Sequence, residues 1–193
     1  MPNQARARFP APEERVTTDT TQGPIEVIDS ASALAAAPGD LSPMQIVHEV
    51  EVDVPASTVW ALWTTTEGIQ SWLVGSANIE LRIGGPFELH FMADAPEGSK
   101  GSEGCKILSY LPEAMLSFTW NSPPDHPEIR RQRTWVVVEL TPTDRGTGVT
   151  LTHLGWPESG WSEAEETHWP ETFEHFDKAW SNVLEALRTH LAE

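Results

Sequence analysis

From Asn78 onward the chain changes its hydrophobic period once, and that change limits the fold more than any other feature. Six short stretches alternate apolar and polar residues: Asn78 to Ile83, Phe87 to Met92, Gly104 to Tyr110, Met115 to Trp120, Arg133 to Leu140 and Val149 to Leu154. Turn sequences such as Gly84-Gly85-Pro86 and Thr143-Asp144-Arg145-Gly146 separate them, so they read as strands of an antiparallel meander. From His168 to Ala192 the spacing becomes helical, with Phe173, Phe176, Trp180, Leu184, Leu187 and Leu191 on one stripe. A sheet with an apolar face must be covered, and this is the one segment long enough to cover it.

The residues before the meander supply the remaining pieces. Ile46 to Asp53 alternates strictly, placing Ile46, His48, Val50 and Val52 on one face. Pro55 suits the start of a helix, and Val59, Leu62 and Trp63 follow at helical spacing. A second helical turn is expected at Thr66 to Trp72, with a threonine cap, Glu67 near the positive end of its dipole, and Gly68 keeping it short. The fold class is α+β: a curved antiparallel sheet of about six to seven strands around a long C-terminal helix, with two short helices after the first strand. This is the helix-grip layout. Residues 1–43, rich in Pro, Ala, Thr, Ser and Asp, read as a flexible extension in which Ile25-Glu26-Val27-Ile28 alone resembles a strand. Residues 44–193 form the domain.

Charge excludes several partners. With 12 Lys and Arg against 29 Asp and Glu, the net charge of −17 repels phosphate backbones and anionic lipid surfaces. Nucleic acid and membrane are therefore not expected partners. No apolar run approaches the roughly 20 residues that span a bilayer, and residues 1–12 lack the core of a secretion signal, so the expected location is cytoplasmic. The single cysteine, Cys105, has no thiolate-activating neighbour and reads as a small buried hydrophobe. Nine tryptophans point to a thick core, a wide pocket wall, or both.

Six segments together resemble a known family. They are Val54-Pro55-Ala56-Ser57-Thr58-Val59-Trp60, Gly68-Ile69-Gln70-Ser71-Trp72, Arg82-Ile83-Gly84-Gly85-Pro86-Phe87-Glu88-Leu89, Leu116-Ser117-Phe118-Thr119-Trp120, Gly146-Thr147-Gly148-Val149-Thr150-Leu151-Thr152-His153 and Trp180-Ser181-Asn182-Val183-Leu184. In this order they resemble the START-like (SRPBCC) proteins of the type named after the activator of heat-shock protein 90 ATPase. The likeness runs from about Ile46 to Leu191. It implies a cavity between sheet and C-terminal helix, and no shared catalytic set or cofactor.

Alternation places Phe87, Leu89 and Phe91 in one row, Phe118 and Trp120 in a second with Leu116, and Leu151 and His153 in a third with Val149. Phe173, Phe176 and Trp180 face them from the helix, and Trp60 and Trp63 flank them. All of these but Leu116 and Val149, twelve residues, are the expected lining of a pocket of several hundred cubic ångströms, although the same alternation describes a filled core. His153 is the polar group aimed inward, suited to a hydrogen bond or to proton transfer, and His48 shares that standing. A metal site joining His48, His90 and His153 is not expected, because His90 faces away from the Phe87 row. The aromatic, acidic stretch Trp156 to Trp169 reads either as a lid or as a loop burying its indoles. The functional expectation is a binding or sensing protein for a hydrophobic small molecule, without a catalytic set, metal or cofactor, and compatible with a homodimer. The alternatives are a polyketide cyclase- or aromatase-like enzyme using the cavity, and a chaperone-associated interaction module.

Overall fold

The computed structural model describes residues 44–157 and 162–193, and the Ile25 to Ile28 segment lies outside them. Strand β1 (Ile46–Val52) buries Ile46 and Val52 at its ends and turns Val47, Glu49 and Glu51 to solvent, as its alternation requires. Pro55, extended at φ −62° and ψ 153°, caps α1 (Ala56–Thr64) from outside the first turn, one step earlier than expected. The hydroxyl of Thr65 accepts from Gly68 N and so caps α2 (Thr66–Gln70). A β-carbon at Gly68 would stand 2.2 Å from Ala61 O, so glycine is what lets the two short helices meet so closely. Trp72 locks the pair by donating its indole N–H to Leu62 O at 3.3 Å and meeting Trp63 edge-on at 5.3 Å.

Seven strands follow the expected order but divide into two ladders. β4 (Ile107–Leu111), β5 (Met115–Trp120), β6 (Thr134–Pro142) and β7 (Thr147–Leu154) form a meander, and β1 adds to β7, giving a five-stranded antiparallel sheet in the order β1-β7-β6-β5-β4. β2 (Ser76–Ile79) pairs only with β3 (Phe87–His90). Isolated bridges, Pro86 with Lys106 and His90 with Gly101, carry this hairpin onto the segment before β4.

The hairpin strands are shorter than the alternation predicts. β2 stops at Ile79 because Glu80 O accepts from Arg82 N at 2.7 Å and opens the turn, and only Gly84 in that turn has positive φ (75°). Gly85 is required by close approach instead, its β-carbon position lying 2.3 Å from Glu80 O. β3 stops at His90, where Phe91 enters a turn.

The last helix, α3 (Glu163–His190), starts five residues before the expected His168. Ser162 and Glu165 form a reciprocal capping box, a Ser-x-x-Glu signal visible in the sequence, and Pro170 lies inside the helix it starts. The buried face of α3 carries Trp169, Thr172, Phe176, Trp180, Val183, Leu184 and Leu187, so Phe173 and Leu191 sit at its margin. α3 lies against β1, and Phe176 and Trp180 reach Trp120 at the end of β5.

Candidate functional site

Two neighbouring arrangements of rings lie along α3, one closed and one open. The closed one surrounds His153 of β7, which is fully buried. The indole N–H of Trp180 donates to His153 Nδ1 at 2.9 Å, which leaves the proton on Nε2, and Nε2 lies 2.7 Å from Thr134 Oγ1. Thr134 therefore accepts from the imidazole and turns its own hydrogen toward Trp120 O at 3.5 Å. Trp156 stacks obliquely 4.4 Å from the imidazole and ties itself to His153 O, while Phe176 closes the side. Burial drives the imidazole pKa down to about 3, so His153 is neutral and both its nitrogens are occupied.

The open arrangement is a hollow of about 380 Å³ on the other side of Trp120. Trp120, Phe176, Ala179, Trp180 and Val183 form its floor and helical wall. Phe91, Met92 and Gly101 come from the connection after β3, and Asn121, Ser122, Pro123, Pro124, Asp125 and Arg130 come from the connection after β5. Trp120 is edge-on to Phe91 at 6.5 Å and to Phe176 at 6.3 Å, so three rings present differently oriented faces. The Trp120 indole N–H is buried without a partner among the described residues.

The mouth is framed by one side chain. Arg130 donates from Nε to Gly98 O at 2.9 Å, from Nη2 to Gly101 O at 2.7 Å and from Nη1 to Ser122 O, tying the two connections together. Asn121 Nδ2 adds bonds to Gly101 O at 3.2 Å and Glu103 O at 3.4 Å. The two connections are thereby tied to each other by side chains.

Comparison with known proteins assigns this architecture. The family model for Activator of Hsp90 ATPase homolog 1-like protein matches residues 53–192. The chain belongs to that family. Among solved structures, a protein of Mesorhizobium loti is 23% identical, with a TM-score of 0.58 over 77% of this chain and 97% of its own. A Bacillus halodurans protein is 25% identical, with a TM-score of 0.55 over 77% and 96%. An AHSA1-like protein from Rhizobium etli is 20% identical, with a TM-score of 0.53 over 77% and 82%. No curated protein matches the sequence significantly.

Within this family member, the residues expected at a pocket separate into two groups. Phe91, Trp120, Phe176 and Trp180 line the hollow. Trp63, Phe87, Leu89, Phe118, Leu151 and His153 are buried in the continuous core and do not reach it. Phe87 and Phe118 stack at 3.9 Å, which fills the space their rows were expected to leave open. Trp60 lies against Tyr110 at 6.3 Å, and Phe173 against Trp156 at 5.0 Å, both away from the hollow.

Other candidates also take up definite positions. His48 Nε2 contacts the Asp177 carboxylate at 3.0 Å, joining β1 to α3 outside the hollow. His90 bonds Ser76 across the β2–β3 ladder, and no group of three metal-ligating side chains occurs among the described residues. Trp156 and Trp169 are buried, which removes them from a lid, and Trp161 lies outside the described residues. Cys105 is buried beside Arg133, and burial pushes its thiol up to about 11. No described helix is long and apolar enough to cross a membrane.

Proposed function

We propose that this family member binds a small hydrophobic molecule in the hollow beneath the connection after β5. The observation that carries the reading is the contrast in packing at Trp120. That indole packs against Phe118 and Trp180, and it also borders about 380 Å³ walled by rings, prolines and aliphatic side chains. This volume is within the usual range of small-molecule sites. The wall is mostly apolar and open to water, so a ligand that covers it removes apolar surface from solvent.

An enzyme of the cyclase or aromatase kind would use the same hollow and a proton carrier on its wall. His153, the sequence candidate for that role, is enclosed and held neutral, with both nitrogens engaged, which leaves His175 as the imidazole on the wall. The chaperone-associated reading has only the family name behind it, and fold does not transfer function.

Titration with N-phenyl-1-naphthylamine, an uncharged fluorophore bright only in apolar surroundings, tests the binding reading. Saturable enhancement and a raised melting temperature are expected, and both should vanish in Ala179→Phe, which fills the hollow. Enhancement that is linear in dye, or unchanged in Ala179→Phe, would refute it.

A further inference from the structure

Resting on the binding reading above, we propose that the occupant is a hydrophobic amine, its apolar body on the floor made by Trp120, Phe176 and Trp180 and its ammonium group at the mouth between Phe91 and Asp125. Among the described residues, the cation on the wall of the hollow is already engaged by the backbone. Arg130 is the single guanidinium on the wall, and three of its N–H groups are committed to the carbonyls of Gly98, Gly101 and Ser122. Glu103 lies near enough to compensate its charge. The carboxylate of Glu103 is itself held by Gly98 N at 2.7 Å and Lys100 N at 2.6 Å, so this whole group is built to secure loops. A carboxylate ligand entering here would lose its water and meet a guanidinium whose three nitrogens each already serve a backbone carbonyl.

Apart from the Trp120 indole N–H, a neutral donor without a partner among the described residues, the remaining polar groups on the wall favour the opposite charge. His175, on α3 beside the mouth, has its pKa lowered by burial and then by the nearby His126, with Asp125 acting against both, so it adds a neutral imidazole at pH 7. Asn121 spends both amide hydrogens on carbonyls, which leaves its oxygen as the acceptor. Asp125 is an exposed carboxylate on the rim. Phe91, Trp120 and Phe176 meet at steep angles of 79° and 73°, an arrangement in which a cation can lie over a ring face from more than one side. Phe91 is half exposed although it belongs to this group, which places one ring face at the entrance. A net charge of −17 draws cations toward the entrance and keeps anions away.

Three probes that share a naphthalene body and differ in one group separate the possibilities: 1-naphthylmethylamine, 1-naphthylmethanol and 1-naphthoate, titrated calorimetrically at pH 7 and low salt. The amine is expected to bind about fivefold more tightly than the alcohol, the order of one exposed cation–π contact combined with one rim ion pair, and the naphthoate more weakly than either. Asp125→Asn and Phe91→Leu, both at exposed positions, should each narrow the ratio of amine to alcohol affinity, the first by removing the rim charge and the second by removing a ring face. Naphthoate binding at least as tightly as the amine, or an amine preference untouched in both variants, would overturn the inference while N-phenyl-1-naphthylamine binding left the hollow intact. If that neutral dye also fails to bind, the binding reading falls and the inference with it.

Discussion

The chamber around His153 and the hollow beside it share Trp120, Phe176 and Trp180, yet one is closed and the other open. In the chamber, each polar atom meets a partner contributed by a neighbouring strand or by α3: Trp180 to His153, His153 to Thr134, Thr134 toward Trp120 O. In the hollow, the facing surface comes from two connections held by Arg130, and the Trp120 indole N–H has no partner among the described residues. The same kinds of side chain make core when regular structure closes on them and a cavity when a loop spans the gap. The difference lies in the covering segment and not in the rings.

Breaking the shared wall should have the largest effect. Trp180→Ala removes a buried indole and strands His153 Nδ1, so a loss of about 3–5 kcal/mol is expected in denaturant unfolding, together with loss of dye binding. His153→Leu leaves the Trp180 N–H and the Thr134 hydroxyl short of partners and should cost about 2–3 kcal/mol, with dye affinity retained. Retained affinity would separate chamber from hollow; lost affinity would merge them.

Acid should act on the chamber first. The imidazole takes up a proton near its ordinary 6.5 in the unfolded chain and only near 3 in the folded one. Between those values the unfolded state binds the extra proton, so stability rises with pH and is lost as pH falls, by about 2 kcal/mol at pH 5 relative to pH 8. Urea unfolding across that range should show the slope in the native protein and a flatter one in His153→Leu. At the hollow, Arg130→Met releases two loops and should cost about 1–2 kcal/mol while speeding dye release in stopped-flow mixing. Ala179→Phe should change stability by less than about 1 kcal/mol, because the added ring enters empty space rather than packed core.

The fold was legible because its signals are periodic. β5 occupies Met115–Trp120 as alternation requires, and β1 turns the expected residues inward. The long helix begins early because Ser162 and Glu165 cap it, a local signal that a search for apolar spacing passes over. The hollow was only half legible. Alternation finds Trp120 and the helical stripe finds Phe176 and Trp180, but neither can tell that Phe87 stacks on Phe118 and closes its own row. Asn121, Asp125 and Arg130 lie in an aperiodic connection where no spacing rule applies, and Asn121 and Arg130 bond a carbonyl 20 and 29 residues away in the chain. The Pro123-Pro124 pair marks that connection as stiff, which is the one sequence cue to a covering loop with a fixed shape.

Indole NMR tests most directly whether the open side of Trp120, and not the core, holds the ligand. In a ¹⁵N-labelled protein titrated with N-phenyl-1-naphthylamine, the Trp120 indole signal should shift first and furthest. Trp63 and Trp169, buried elsewhere, should hold still, and Ala179→Phe should abolish the change. Uniform small shifts at all indoles, or a Trp120 signal that does not move at saturating dye, would contradict a binding site in this hollow.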